Sequence, residues 1–103
     1  MELKDTTIVI TGGASGIGAA MARRFAAEGP ANLVLADRDI DGARTVTDEV
    51  ALQVSGQCVP RQLDVGREGA NEALVGDVEG NVGPIDLFVA NAGIATGTSE
   101  QGD

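Results

Sequence analysis

Thr7-Ile8-Val9-Ile10-Thr11-Gly12-Gly13-Ala14-Ser15-Gly16-Ile17-Gly18 is the stretch on which the fold turns. Thr7–Ile10 is a β-branched run without polar alternation, the pattern of a strand buried on both faces of a parallel sheet. From Ser15 a helical period takes over, with Ile17, Met21 and Phe25 at four-residue steps. Glu28-Gly29-Pro30 stops that helix, because Gly accepts positive φ and Pro cannot continue the ladder.

Outward from this unit the alternation repeats. Leu33–Ala36 is a second buried strand, ending at Asp37. A helix follows over about Ile40–Val54, with its apolar stripe at Ala43, Val46, Val50 and Val54. Gln57–Val65 is a third strand, and Pro60 inside it removes a ladder donor, which points to a sheet edge. The stretch Arg67–Val82 carries a stripe at Ala70, Leu74, Val78 and Val82 and reads as a third helix. Gly69, Gly76 and Gly80 weaken it by about 1 kcal/mol each against Ala in a helix interior. Pro84 ends it, and Ile85–Ala90 is the fourth strand. Asn91–Asp103 is small and polar, without a period. The order β-α-β-α-β-α-β predicts one α/β domain of parallel strands joined by right-handed helical crossovers, with no internal repeat.

Composition narrows the chemistry. The chain has 103 residues, 15 of them glycine, with no His, Tyr or Trp, a lone cysteine (Cys58) and a lone lysine (Lys4). Nucleophile systems that need His cannot be built, and no zinc site has its ligands, so no metal is expected. The net charge is −9, with 5 basic and 8 acidic groups in residues 1–51 against 2 and 8 in residues 52–103. Such a field repels a phosphate backbone or an anionic membrane, so neither nucleic acid nor membrane is an expected partner. Runs such as Leu33–Ala36 and Leu87–Ala90 are too short to span a bilayer, and the first five residues have no basic or apolar leader character. One cysteine forms no internal disulfide; a soluble cytoplasmic protein is the expectation. Cys58 reads as a small buried hydrophobe, and Glu68, Glu72 and Glu79 as the solvated face of a helix.

Four glycines within seven residues, between a strand and a helix, suit a phosphate group. A helix N-terminus presents unpaired N–H groups and partial positive charge, and glycine lets the backbone approach a ligand closely. The competing reading is a turn that only reverses the chain. Thr11-Gly12-x-x-x-Gly16-x-Gly18 resembles the TGxxxGxG signature of the short-chain dehydrogenase/reductase family. Three more matches follow in register over about 90 residues: Asp37 at the end of strand two, Asp64-Val65 at the end of strand three, and Asn91-Ala92-Gly93 at the end of strand four. The last resembles the family's NNAG, with Ala90 in place of the first Asn.

The resemblance implies a dinucleotide cofactor. Gly12, Ser15, Gly16, Ile17 and Gly18 would hold the pyrophosphate, and Asp37 would accept from the adenine ribose hydroxyls. A carboxylate there repels a 2′-phosphate, so NAD is expected over NADP, although Arg38 could meet that phosphate. A helix-capping role for Asp37 is compatible with this one. Asp64 and Val65 would hold the adenine edge, Asn91 would brace strand four beside the cofactor, and Ala92 and Gly93 would leave room for the nicotinamide ribose. The competing readings are a solvated loop for the first pair and a plain strand-end turn for the last three.

The resemblance also has a gap. The family's proton transfer rests on Tyr, a Lys four residues later and a Ser; this chain has no Tyr, its Lys is at position 4, and Ser99 precedes any fifth strand. No catalytic residue is therefore assigned, and the isolated chain is expected to be inactive. It reads as the first half of a doubly wound Rossmann-type sheet, strand order 3-2-1-4, with helices one and two on one face and helix three on the other. Strand four would be an open edge and one face half covered. The expected division is residues 1–93 as the cofactor-binding half-domain and 94–103 as a mobile tail or the start of the next loop. The implied function is NAD(P)-dependent hydride transfer with a small-molecule alcohol or ketone, in a full-length parent expected to form a homo-oligomer. The alternatives are a non-catalytic dinucleotide-binding module and a structural subunit that completes another chain's sheet.

Overall fold

In the computed structural model, which describes residues 2–14 and 16–91, four strands and three α-helices alternate along the chain. The strands are β1 (Thr7–Thr11), β2 (Asn32–Asp37), β3 (Cys58–Gln62) and β4 (Leu87–Ala90); the helices are α1 (Gly16–Ala26), α2 (Ile40–Val50) and α3 (Ala70–Asn81). All pairings are parallel, in the order β3-β2-β1-β4. This is the predicted order. β3 is an edge strand, where Pro60 pairs with Leu35 without needing a donor on its outer side.

The central strands are buried on both faces, as their unbroken apolar runs require. Alternate side chains sort into two cores. Ile8, Ile10, Leu33 and Leu35 point to the side covered by Ala19, Ala22 and Ala26 of α1 and Ala43, Val46 and Val50 of α2. Val9, Val34 and Ala36 point to the other side, against Leu63 and against Leu74 and Val78 of α3. The two-to-one division of helices between faces follows from right-handed crossovers.

Several details differ from the sequence reading, among them the fourth strand, which starts at Leu87 and not at Ile85. α1 does not face the sheet along Ile17-Met21-Phe25. Its buried residues are Gly18, Ala19, Ala22 and Ala26, while Ile17 is 69% exposed and Met21 and Phe25 pack at the margin. The helix lies so close to the sheet that only small side chains fit between. α2 ends at Val50 and tightens into a 3₁₀ turn, Ala51–Gln53, before Val54 closes the core. β3 and α3 are also shorter than their patterns: Leu63–Val65 leave the ladder, and Gly69, at φ 79°, becomes the N-cap of α3 instead of an interior residue. Residues 92–103, including the tail expected to be mobile, lie outside the described residues.

Candidate dinucleotide-binding site

The C-terminal ends of all four strands open on one side of the sheet, and the glycine turn joins β1 to α1 there. Gly12 sits at φ 72° and Gly16 at φ 58°, a region costly for any residue with a Cβ. The turn is folded back on β2: the N–H groups of Gly12 and Gly13 both donate to the Ala36 carbonyl, at 2.7 and 3.3 Å. A Cβ at Gly13 would stand 2.9 Å from Leu35 Cβ. One at Gly18 would overlap the Gly12 carbonyl oxygen and crowd Asn91 Nδ2. Glycine at 18 thus lets the first turn of α1 sit against the turn that precedes it. That first turn carries amides with no acceptor inside the helix. Gly12 shapes the turn, whereas the N–H groups free to meet a ligand belong to the start of α1.

Asp37 ends β2 beside this turn. Its Oδ2 accepts from the Ala14 N–H and its Oδ1 from the Asp39 N–H, each at 3.0 Å. Each oxygen keeps a second lone pair for a hydroxyl donor. The cap of α2 is not Asp37 but Asp39, whose Oδ1 accepts from the Gly42 N–H at 2.9 Å. Gly42 in turn lets the start of α2 approach the turn, since its Cβ would come 3.1 Å from that of Ala14. Asn91, 7% exposed just beyond β4, donates from Nδ2 to the Gly12 carbonyl at 3.3 Å and so ties strand four to the turn.

Asp64 and Val65 lie beyond β3 on the same side. Asp64 Oδ1 accepts from the Gly66 N–H at 3.0 Å, and Val65 packs its side chain on the second core. Beside them is a cleft of about 820 Å³ lined by Arg38, Asp64, Arg67 and the start of α3. Four arginines of this acidic chain are in ion pairs, with Glu49, Glu28, Asp41 and Asp77. Arg38 and Arg67 are in none among the described residues, and both face this cleft. The family motifs by themselves do not single out Arg67. The signal for it is the turn Asp64-Val65-Gly66-Arg67, closed by the Arg67 N–H on the Asp64 carbonyl at 3.0 Å.

The structure thus brings Gly12, Gly16, Ile17, Gly18, Asp37 and Asn91 around one turn, and Arg38 and Asp64 around the neighbouring cleft, while the Val65 side chain turns away to the second core. Ser15, Ala92 and Gly93 lie outside the described residues. The cradle fits a dinucleotide: positive-φ glycines, a close approach that a Cβ would close off, a helix N-terminus and a carboxylate one strand away. Away from it, Cys58 is half-buried, donates weakly to the Thr47 carbonyl, and has its thiol pKa pushed up to about 11 by burial and by Asp48. That is the setting of a structural cysteine. Among the described residues no group of His, Cys, Asp and Glu could hold a metal ion, and no helix is long and apolar enough to cross a membrane.

Comparison with known proteins agrees with this geometry. The family model of the short chain dehydrogenases matches residues 6–103. A short chain dehydrogenase of Pseudocercospora fijiensis is 35% identical over 94 residues, covering 91% of this chain and 30% of that protein. The 3beta-hydroxysteroid dehydrogenase 1 of Eggerthella lenta is 38% identical over 93 residues, covering 90% of this chain and 35% of that protein. The crystal structure of L-sorbose reductase from Gluconobacter frateurii, complexed with NADPH and L-sorbose, superposes with a TM-score of 0.72 at 29% identity, covering 85% of this chain and 34% of that one. The chain spans about a third of the length of the curated relatives it matches. With the glycine turn, the acidic end of β2 and the strand order all in place, this chain belongs to the short chain dehydrogenase family.

Proposed function

We propose that this chain is the cofactor-holding part of an NAD(P)-dependent oxidoreductase that moves hydride between the nicotinamide and an alcohol or ketone carbon. The observation that carries the reading is the close seat of Gly18 under the Gly12 carbonyl, with Asp37 pinned to the same turn through the Ala14 N–H. Gly16, Ile17 and Gly18, with Ser15, hold the pyrophosphate at the start of α1. Asp37 accepts from the adenine ribose, Asp64 and Val65 bracket the adenine, and Asn91 holds strand four against the turn, with Ala92 and Gly93 next to the nicotinamide ribose. When bound, the nicotinamide supplies the hydride chemistry. The alcohol or ketone class is supported by relatives named as a hydroxysteroid dehydrogenase and a sorbose reductase.

On cofactor choice two groups oppose each other. Asp37 favours NAD by repelling a 2′-phosphate, while Arg38 and Arg67 offer positive charge in the adjoining cleft. The NADPH complex of the sorbose reductase lends no support to ranking NADP lower on fold alone. The preference proposed for NAD is therefore modest and rests on Asp37. The substrate pocket, the proton-transfer pair and homo-oligomeric assembly belong, in this reading, to a full-length parent. The cytoplasmic setting is the one expected from the sequence.

Titration of the 103-residue chain with NADH, followed by its fluorescence, tests the reading. Saturable binding that disappears in Gly18→Val is expected. A chain with native circular dichroism that leaves NADH fluorescence unchanged at millimolar concentration overturns it. With NAD and a panel of secondary alcohols the chain should form no NADH above background, since it has no Tyr and its Lys is at position 4. Steady, protein-dependent NADH formation would favour a different proton-transfer group.

A further inference from the structure

We propose that Arg67 is a further cofactor-binding residue, whose guanidinium stacks flat on the adenine ring. The inference rests on the cofactor reading above and deepens it at the adenine end, where Asp64 meets the ring only at its edge.

Arg67 closes the turn that follows β3. Its N–H donates to the Asp64 carbonyl at 3.0 Å and its carbonyl accepts from the Ala70 N–H at 3.1 Å, so its backbone is held on both sides. Its guanidinium has no partner among the described residues, and it lines the cleft of about 820 Å³ together with Arg38. Asp64 belongs to the same turn. One of its carboxylate oxygens accepts from the Gly66 N–H at 3.0 Å, and the other accepts from nothing among the described residues. The first and fourth Cα atoms of such a turn lie less than about 7 Å apart. A base whose amine donates to that second oxygen therefore lies within reach of the Arg67 side chain. The wall that the start of α3 offers here is small, Gly69, Ala70 and Ala73, and leaves room for a flat ring.

Charge decides between the base and a phosphate. The cleft is lined by Arg38, Arg61 and Arg67 and by Asp64, Glu68 and Asp77, three charges of each sign. Arg61 is already committed to Asp77, at 2.7 Å. A balanced cleft offers a 2′-phosphate no net attraction, whereas a neutral ring needs none. A guanidinium stacks well on a π-face because it is planar and weakly hydrated. Asp37, which would take the ribose hydroxyls, stands outside this lining. The cleft thus receives the base, and the ribose stays by the glycine turn.

Fluorescence titration of the 103-residue chain with NADH and with NADPH tests this. The two cofactors share the adenine, so Arg67→Ala should weaken both by the same factor, about five-fold or more, without shifting the thermal midpoint. Arg67→Phe keeps a plane without the charge and should bind NADH within about two-fold of the parent. Arg67→Lys keeps the charge without the plane and should bind NADH as weakly as Arg67→Ala. A loss confined to NADPH assigns Arg67 to a 2′-phosphate and overturns the proposal, as does tighter NADH binding by Arg67→Lys than by Arg67→Phe. Unchanged NADH affinity in Arg67→Ala overturns it alone and leaves the cofactor reading standing. A parent chain that does not bind NADH overturns both.

Discussion

A side chain added at Gly18 would overlap the Gly12 carbonyl, whereas one added at Gly76 or Gly80 of α3 would meet nothing within 4 Å. Both helices are rich in small residues, yet for different reasons. α1 buries Gly18, Ala19, Ala22 and Ala26 against the sheet and the glycine turn, and at Gly18 the Gly12 carbonyl leaves no room for a side chain. α3 buries only Leu74 and Val78, and its glycines face open space. The contrast extends to the strands they cover. Ile8, Val9, Ile10, Leu33, Val34, Leu35 and Ala36 are fully buried, while every residue of β4 retains some exposure. Close packing is concentrated where the glycine turn must be shaped, and the far side of the sheet is left loose.

The sharpest way to break this comparison is to place a side chain on each helix. Gly18→Val forces the Gly12 carbonyl and Asn91 amide apart. It should cost about 3 kcal/mol, read by urea unfolding, and abolish dinucleotide binding. A variant as stable as the parent would mean that the close approach is dispensable. Asp37→Ser addresses the same side more gently. It removes the repulsion felt by a 2′-phosphate and should move the NAD-to-NADP affinity ratio by about ten-fold or more toward NADP. It should also loosen the turn, since the Ala14 and Asp39 N–H groups lose a charged acceptor. An unchanged ratio would reduce Asp37 to a structural anchor of the glycine turn.

On the open side the sign reverses. Gly76→Ala has room for its methyl and gains helix propensity, so it should stabilise the chain by about 0.5–1 kcal/mol. A loss of stability would show that the outer face of α3 is crowded after all. The smallest effect concerns the ion pair between β3 and α3. The Arg61 guanidinium, with help from the Asn81 amide, holds the Asp77 carboxyl below the usual carboxylate range. A depressed folded-state pKa stabilises above the unfolded value, about 3.9, and that stabilisation is lost as pH falls through the folded value. Arg61→Gln should therefore melt lower than the parent at pH 7, with the gap narrowing below about pH 4. A gap independent of pH would assign the loss to packing of the arginine stem.

Much of this molecule is legible in its sequence. Unbroken apolar runs at Ile8–Ile10 and Leu33–Ala36 state that both faces of β1 and β2 are covered, and that requirement dictates a parallel sheet with helices on either side. Pro60 marks β3 as an edge, and the stripe Ala43-Val46-Val50-Val54 fixes the buried side of α2, because an alternation of large apolar and polar residues leaves one rotation. The glycine spacing locates the turn, since the close approaches it allows are local to the turn and the helix start. What lies beyond reach of sequence is set by groups far apart in the chain. α1 offers a large stripe at Ile17-Met21-Phe25 and a small one at Ala19-Ala22-Ala26, and only the distance at which Gly18 seats the helix decides for the small one. The carboxylate of Asp37 is held by an amide 23 positions away, and Asn91 reaches a carbonyl 79 positions away. Local pattern sets a helix's period and a strand's faces; rotation, register and hydrogen-bond partners are decided when the sheet closes and each polar group must find an acceptor or donor within reach.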